Sequence, residues 1–156
     1  MIQRIQSVYL LLAALSSALM FAFPIGWYYG SSNTIEFYVY RIIDHVPGNE
    51  QLFAGSLLIP LIILVGASLL LPLLIIFDYK RLSRQLSWIR IQLLLLMVMV
   101  ALIFFVYNTR LNSLLSVEAD FGFGMFLPLI AMVFSFLAMR AVQRDQKLLR
   151  SVDRLR

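Results

Sequence analysis

His45, the only histidine, stands near Asp44 and Glu50, and these three are the residues best suited to ligate a metal or move a proton. A metal site needs several ligands held in fixed geometry. Three side chains in a polar loop do not supply it, and a solvated loop is the plainer reading. No serine lies in a nucleophile motif, and a lone histidine cannot serve as base and as part of a second site. Gly122-Phe123-Gly124 lacks the lysine and the preceding strand of a phosphate loop, and it reads as a flexible entry to a helix. The chain has no cysteine, which rules out disulfides and thiolate metal sites. No catalytic, cofactor-binding or metal residue is assigned, and the chain reads as non-enzymatic.

Positive charge is the other chemistry on offer. Lys80, Arg81 and Arg84 lie in a short bridge, Asp78 to Arg90, between two apolar runs. Arg140, Arg144, Lys147 and Arg154 lie near one helical stripe, and Leu148, Val152 and Leu155 form an adjacent one, with Arg150 between. That is the period of an amphipathic helix. Cations so placed bind anionic lipid headgroups, worth roughly 1 kcal/mol each near the surface, or an acidic cytoplasmic protein. Direct binding of nucleic acid is the least favoured use. These eleven residues are the candidate interaction surface.

The elements that would carry them are membrane helices. The chain is 62% hydrophobic and 13% charged, against roughly 25% charged in soluble domains. Long apolar runs with few charges read as membrane spans. Four are expected, at about 7–27, 52–77, 91–107 and 122–142, in one domain covering 1–156. Pro60 and Pro72 fall inside the second run as ordinary kinks. Asn108 to Ser113 ends the third helix, with room for a short helical turn beyond it. Ser16, Ser17, Ser56, Ser68 and Ser135 are the deepest polar groups, and each is expected to bond to its own helix backbone or to a neighbouring helix. Residues 28–51 form an outer loop. In it Ile35, Phe37 and Val39 alternate with Glu36, Tyr38 and Tyr40, the period of a half-buried strand, and Tyr28-Tyr29 can pair with it as a β-hairpin. From 140 to 156 a helical tail continues the fourth span, since no glycine or proline interrupts it.

Charge sets the direction. Arg4, Lys80, Arg81, Arg84, Arg90, Arg140, Arg144, Lys147, Arg150, Arg154 and Arg156 fall on one side of such a layout, and Arg41 and Arg110 on the other. Lysine and arginine stay cytoplasmic. The expectation is an all-α integral membrane bundle of four helices with both termini cytoplasmic.

The two ends, Met1-Ile2-Gln3-Arg4-Ile5-Gln6-Ser7-Val8-Tyr9-Leu10-Leu11-Leu12-Ala13-Ala14 and Leu148-Leu149-Arg150-Ser151-Val152-Asp153-Arg154-Leu155-Arg156, resemble a Bacteroidota membrane-protein family known as domain of unknown function 4293. The resemblance implies a multi-pass protein of the bacterial inner membrane and supplies no site residues. The function expected is a non-enzymatic subunit or accessory factor of a larger membrane complex, with protein export or envelope biogenesis as its setting. The alternative is a small transporter or lipid-handling protein. Partners would be the bilayer, other membrane subunits, and anionic headgroups or an acidic protein.

Overall fold

The computed structural model describes residues 3–29, 34–45, 55–78, 81–115 and 119–153. Helix α1 spans Gln3–Leu19, strand β1 Gly26–Tyr29, β2 Thr34–Phe37 and β3 Ile42–Asp44. A 3-10 turn, Gly55–Leu58, leads into α2, Ile59–Phe77. Helix α3, Leu82–Ala101, passes through a π-helical stretch, Leu102–Asn108, into α4, Thr109–Leu115. Strand β4, Ala119–Phe121, precedes α5, Phe123–Asp153.

Each helix presents one stripe inward, at spacings of three and four residues. On α1 it is Gln6, Leu10, Ala13, Ser17; on α2 Leu61, Val65, Ser68, Pro72, Ile75; on α3 Gln85, Ile89, Gln92, Leu96, Met99; on α5 Ala131, Ser135, Ala138, Val142, Asp145. That periodicity puts a stripe on one helix face. Helix α1 packs against α2 and α5, and α3 packs against the same two, so the four close a ring of antiparallel neighbours. The outward faces are apolar. Helices α2, α3 and α5 are long and apolar enough to cross a membrane, yet only 28%, 28% and 39% of their apolar windows are buried. Leu74, Leu94, Met97 and Phe105 are all at least 60% exposed. Such surface is stable in hydrocarbon and not in water, and by length and composition the chain is a multi-pass membrane protein. Apolar α1 is shorter, Ile5–Leu19.

At the end of the ring where α1 stops and α5 starts sits an antiparallel sheet of order β3-β2-β1-β4. The hairpin expected in the loop forms, with Tyr28 opposite Ile35 and Trp27 opposite Glu36. The alternation is expressed as burial: Ile35, Phe37 and Val39 are at most 1% exposed. Two further strands enlarge it. β3 pairs with β2, and β4 pairs with β1 across Gly26 to Phe121. An otherwise all-α bundle thus carries a four-stranded cap.

Several expected boundaries move. The first helix ends at Leu19 and not near Trp27, because the chain turns through Met20 to Pro24 and Gly26-Trp27-Tyr28-Tyr29 is taken by the sheet. Pro60 lies in the first turn of α2, where no helical N–H is lost, so of that pair only Pro72 is interior. The third helix starts at Leu82, since the basic bridge is itself helical from there, and it runs on through Asn108 to Leu115. Helix α5 is continuous from Phe123 to Asp153 with Pro128 inside it, and the tail continues the fourth span as expected. The tail does not leave the bundle at 140, however. Val142 and Asp145 remain buried, and Gln146 Nε2 donates to Ser83 Oγ at 3.0 Å, because α3 starts early enough to give α5 a surface there.

Gly122 and Gly124 are close-packing glycines and not a flexible entry. A Cβ on either would stand within 2.6 Å of the Pro24 carbonyl oxygen. Their N–H groups donate to Ile25 O at 2.9 Å and Pro24 O at 3.0 Å. The start of α5 is thereby fastened to the turn that follows α1.

Candidate functional site

The candidate cations gather at the end of the bundle opposite the sheet. Arg81, Arg84, Arg140, Arg144 and Lys147 are all exposed there. Lys80, Arg154 and Leu155 lie outside the described residues, as do the side chains of Arg150 and Val152. Arg41 and Arg110 belong to the sheet end. Arg140 lies over the Phe136 ring at 5.0 Å, a cation–π contact that keeps its aliphatic stem against the helix. Leu148 and Leu149 are 49% and 58% exposed near the end of α5. The sequence pattern did not single out Leu149.

Asp78 and Arg84 join α2 to α3. Arg84 Nε and Nη2 donate to the two carboxylate oxygens of Asp78 in a bidentate pair. This hydrogen bonding, helped by the charges of Arg84 and Arg81, holds the Asp78 carboxyl below its ordinary value. Next to the pair an apolar groove of about 490 Å³ opens on the outside of the bundle between α2 and α3.

The interior is layered. Leu10, Ile75, Ile89, Ala138 and Val142 form one apolar cluster toward the basic end. Val65, Leu96, Met99 and Ala131 belong to a second, larger one that extends under the sheet. Between them lie Ser68, Gln92 and Ser135, all fully buried. Gln92 Nε2 donates to the Ser68 carbonyl at 3.0 Å. One turn beyond the first cluster, at the basic end, lie Gln6, Gln85 and Asp145. Gln85 Nε2 donates to Ile75 O at 3.3 Å. The two glutamine contacts advance by seven residues on both helices, so they set the α2–α3 register over two turns.

These polar groups are only partly paired. Among the described residues, both amide atoms of Gln6, Oε1 of Gln85 and of Gln92, Ser135 Oγ and Asp145 Oδ1 meet no protein partner. Buried polar atoms of this kind are the sites where water or a polar ligand is held. Sequence reasoning missed the three glutamines, which lie at the flanks of the apolar runs. The serine expectation holds at Ser16, Ser17 and Ser68, each bonded to its own helix backbone. Ser135 departs from it, and the side chain of Ser56 lies outside the described residues.

At the sheet end, Tyr28 O–H donates to Asn108 Oδ1 at 3.2 Å, and Tyr107 O–H donates to Leu57 O. Burial pushes the Tyr28 phenol up to about 12. His45 Nε2 lies 3.4 Å from Glu36 Oε1. Glu50 lies outside the described residues, and no group of three or more His, Cys, Asp or Glu gathers among those described. Polar layers, a basic end and an apolar groove can bind and orient lipid, protein or small polar molecules.

No curated protein matches the chain. A family model does, over residues 2–155, and on that match the chain belongs to the family described as Domain of unknown function (DUF4293).

Proposed function

We propose that the protein is a non-enzymatic subunit or accessory factor of a larger complex in the bacterial inner membrane, spanning it four times with both termini cytoplasmic. Support for the topology is the gathering of cations at one end of the bundle and acids with aromatics at the other, the asymmetry that orients membrane proteins. Helix α1 counts as the fourth span because it is apolar and packs against both α2 and α5.

One observation carries the role: α5 runs 31 residues and carries Leu148 and Leu149, 49% and 58% exposed, near its end. Large apolar side chains exposed beside a cluster of cations gain from a protein surface laid against them. The test is crosslinking and co-purification from native membranes in mild detergent. Leu148→Asp with Leu149→Asp should lose a partner that the wild type retains, with the bundle's melting unchanged. Retention of every partner by that double variant contradicts the role.

A second reading, lipid handling, is supported by the groove between α2 and α3.

A further inference from the structure

The groove between α2 and α3 exists because of side-chain size. Ala67 closes its inner end beside Gly66, where an added Cβ would meet nothing within 4 Å. Leu71 and Ile75 lie deeper, and Leu70 and Leu74 form an exposed rim. From Ala67 to Asp78 the helix rises about 16 Å at ~1.5 Å per residue. That is about half of a ~30 Å hydrocarbon core, one leaflet deep. A partner's spanning helix would need a seam of full length. A single acyl chain needs half.

The mouth is charged. Asp78 and Arg84 line it, and Arg81 is near enough for its charge to act on Asp78. Among the described residues, one carboxylate and two guanidinium groups leave a net charge of about +1. Asp78 occupies Nε and Nη2 of Arg84, and the remaining donors of a guanidinium are free to bind a second anion. Trp88, 43% exposed, lines the same mouth, where an indole anchors at the membrane interface.

The geometry points to a binding site for one anionic phospholipid of the leaflet at the basic end, with an acyl chain in the groove and the phosphodiester on Arg84 and Arg81. The single negative charge of the phosphodiester matches the charge of the mouth, and Asp78 holds the Arg84 fork in place for it. This site deepens the lipid-handling reading. It needs the bundle to lie in a bilayer and is independent of any partner on α5.

The test is native mass spectrometry of the full chain released from nanodiscs of phosphatidylcholine doped with phosphatidylglycerol. The wild type should carry one phosphatidylglycerol per chain in preference to phosphatidylcholine. Asp78→Asn with Arg81→Gln and Arg84→Gln removes all three charged groups of the mouth, and should cut that preference about tenfold. Ala67→Trp and Leu74→Trp each fill the groove and should lose the adduct; two are used so that a fold defect in one leaves the other to decide. Equal retention of both lipids by the wild type overturns the site. So does an adduct that survives in a folded filled-groove variant, or a lipid-free pair of chains, which would mean that a second copy occupies the groove. Loss of protein partners in the Leu148 and Leu149 double variant with the phosphatidylglycerol adduct intact separates this site from the role of the tail.

Discussion

Individual residues at the sheet end show how little slack the structure has. Gly124→Ala would place a methyl group 2.5 Å from the Pro24 carbonyl oxygen and 2.8 Å from the Phe23 carbonyl oxygen. Both are backbone atoms and cannot swing away, so the variant should lose about 2 kcal/mol or more of stability, read as thermal unfolding in detergent. Tyr28→Phe removes one part-buried hydrogen bond to Asn108 and should cost about 1 kcal/mol. The phenol also sets a pH limit. Its folded value is raised from 10.0 to about 12. Its stabilising contribution is therefore complete below pH 10 and lost as pH rises toward 12. Alkaline unfolding should begin in that window in the wild type, and the Tyr28→Phe variant should show less loss across it.

Elements differ in how far local sequence reveals them. The hairpin was legible because period two over Ile35, Phe37 and Val39 is a local signal, and it reappears as burial. Strand β4 was not: three residues, Ala119–Phe121, find their partner in β1, some ninety residues earlier in the chain, and nothing local marks them. The long run of α5 after Pro128 was legible from the absence of breakers there. The polar layers were hidden because Gln85 and Gln92 stand at the edge of an apolar run and resemble its solvated flank. Their spacing of seven places both on the buried stripe of α3 once the helix is seen to begin at Leu82. The bidentate Asp78–Arg84 pair was equally out of reach, since the sequence shows two charges six residues apart and not that a helix start brings them together. That pair has a pH signature. A carboxyl held below its ordinary value contributes stability above the ordinary carboxylate range, and loses it as pH falls through the depressed value. Acidification should loosen the α2–α3 junction in the wild type, and Asp78→Asn should abolish that dependence, as followed by hydrogen exchange at Arg81 to Gln85. Inside the bundle, Gln92→Leu loses the bond to Ser68 but also removes an unpaired Oε1. Its net effect should stay within about 1 kcal/mol.

For the whole molecule, the arrangement is that of a membrane protein with charge at its ends, polar layers inside and apolar surface outside. The candidate cations were readable as a group from sequence, but their spatial gathering at one end depends on the antiparallel ring. The central claim is that this basic end faces the cytoplasm. Because the chain contains no cysteine, single cysteines report on it cleanly. His45→Cys lies at the exposed rim of the sheet end, and Ser87→Cys on the exposed face of α3 at the basic end. With a membrane-impermeant maleimide on spheroplasts, the account predicts labelling of His45→Cys at once and of Ser87→Cys only after the membrane is opened; labelling of Ser87→Cys on intact spheroplasts, with His45→Cys protected, would contradict it.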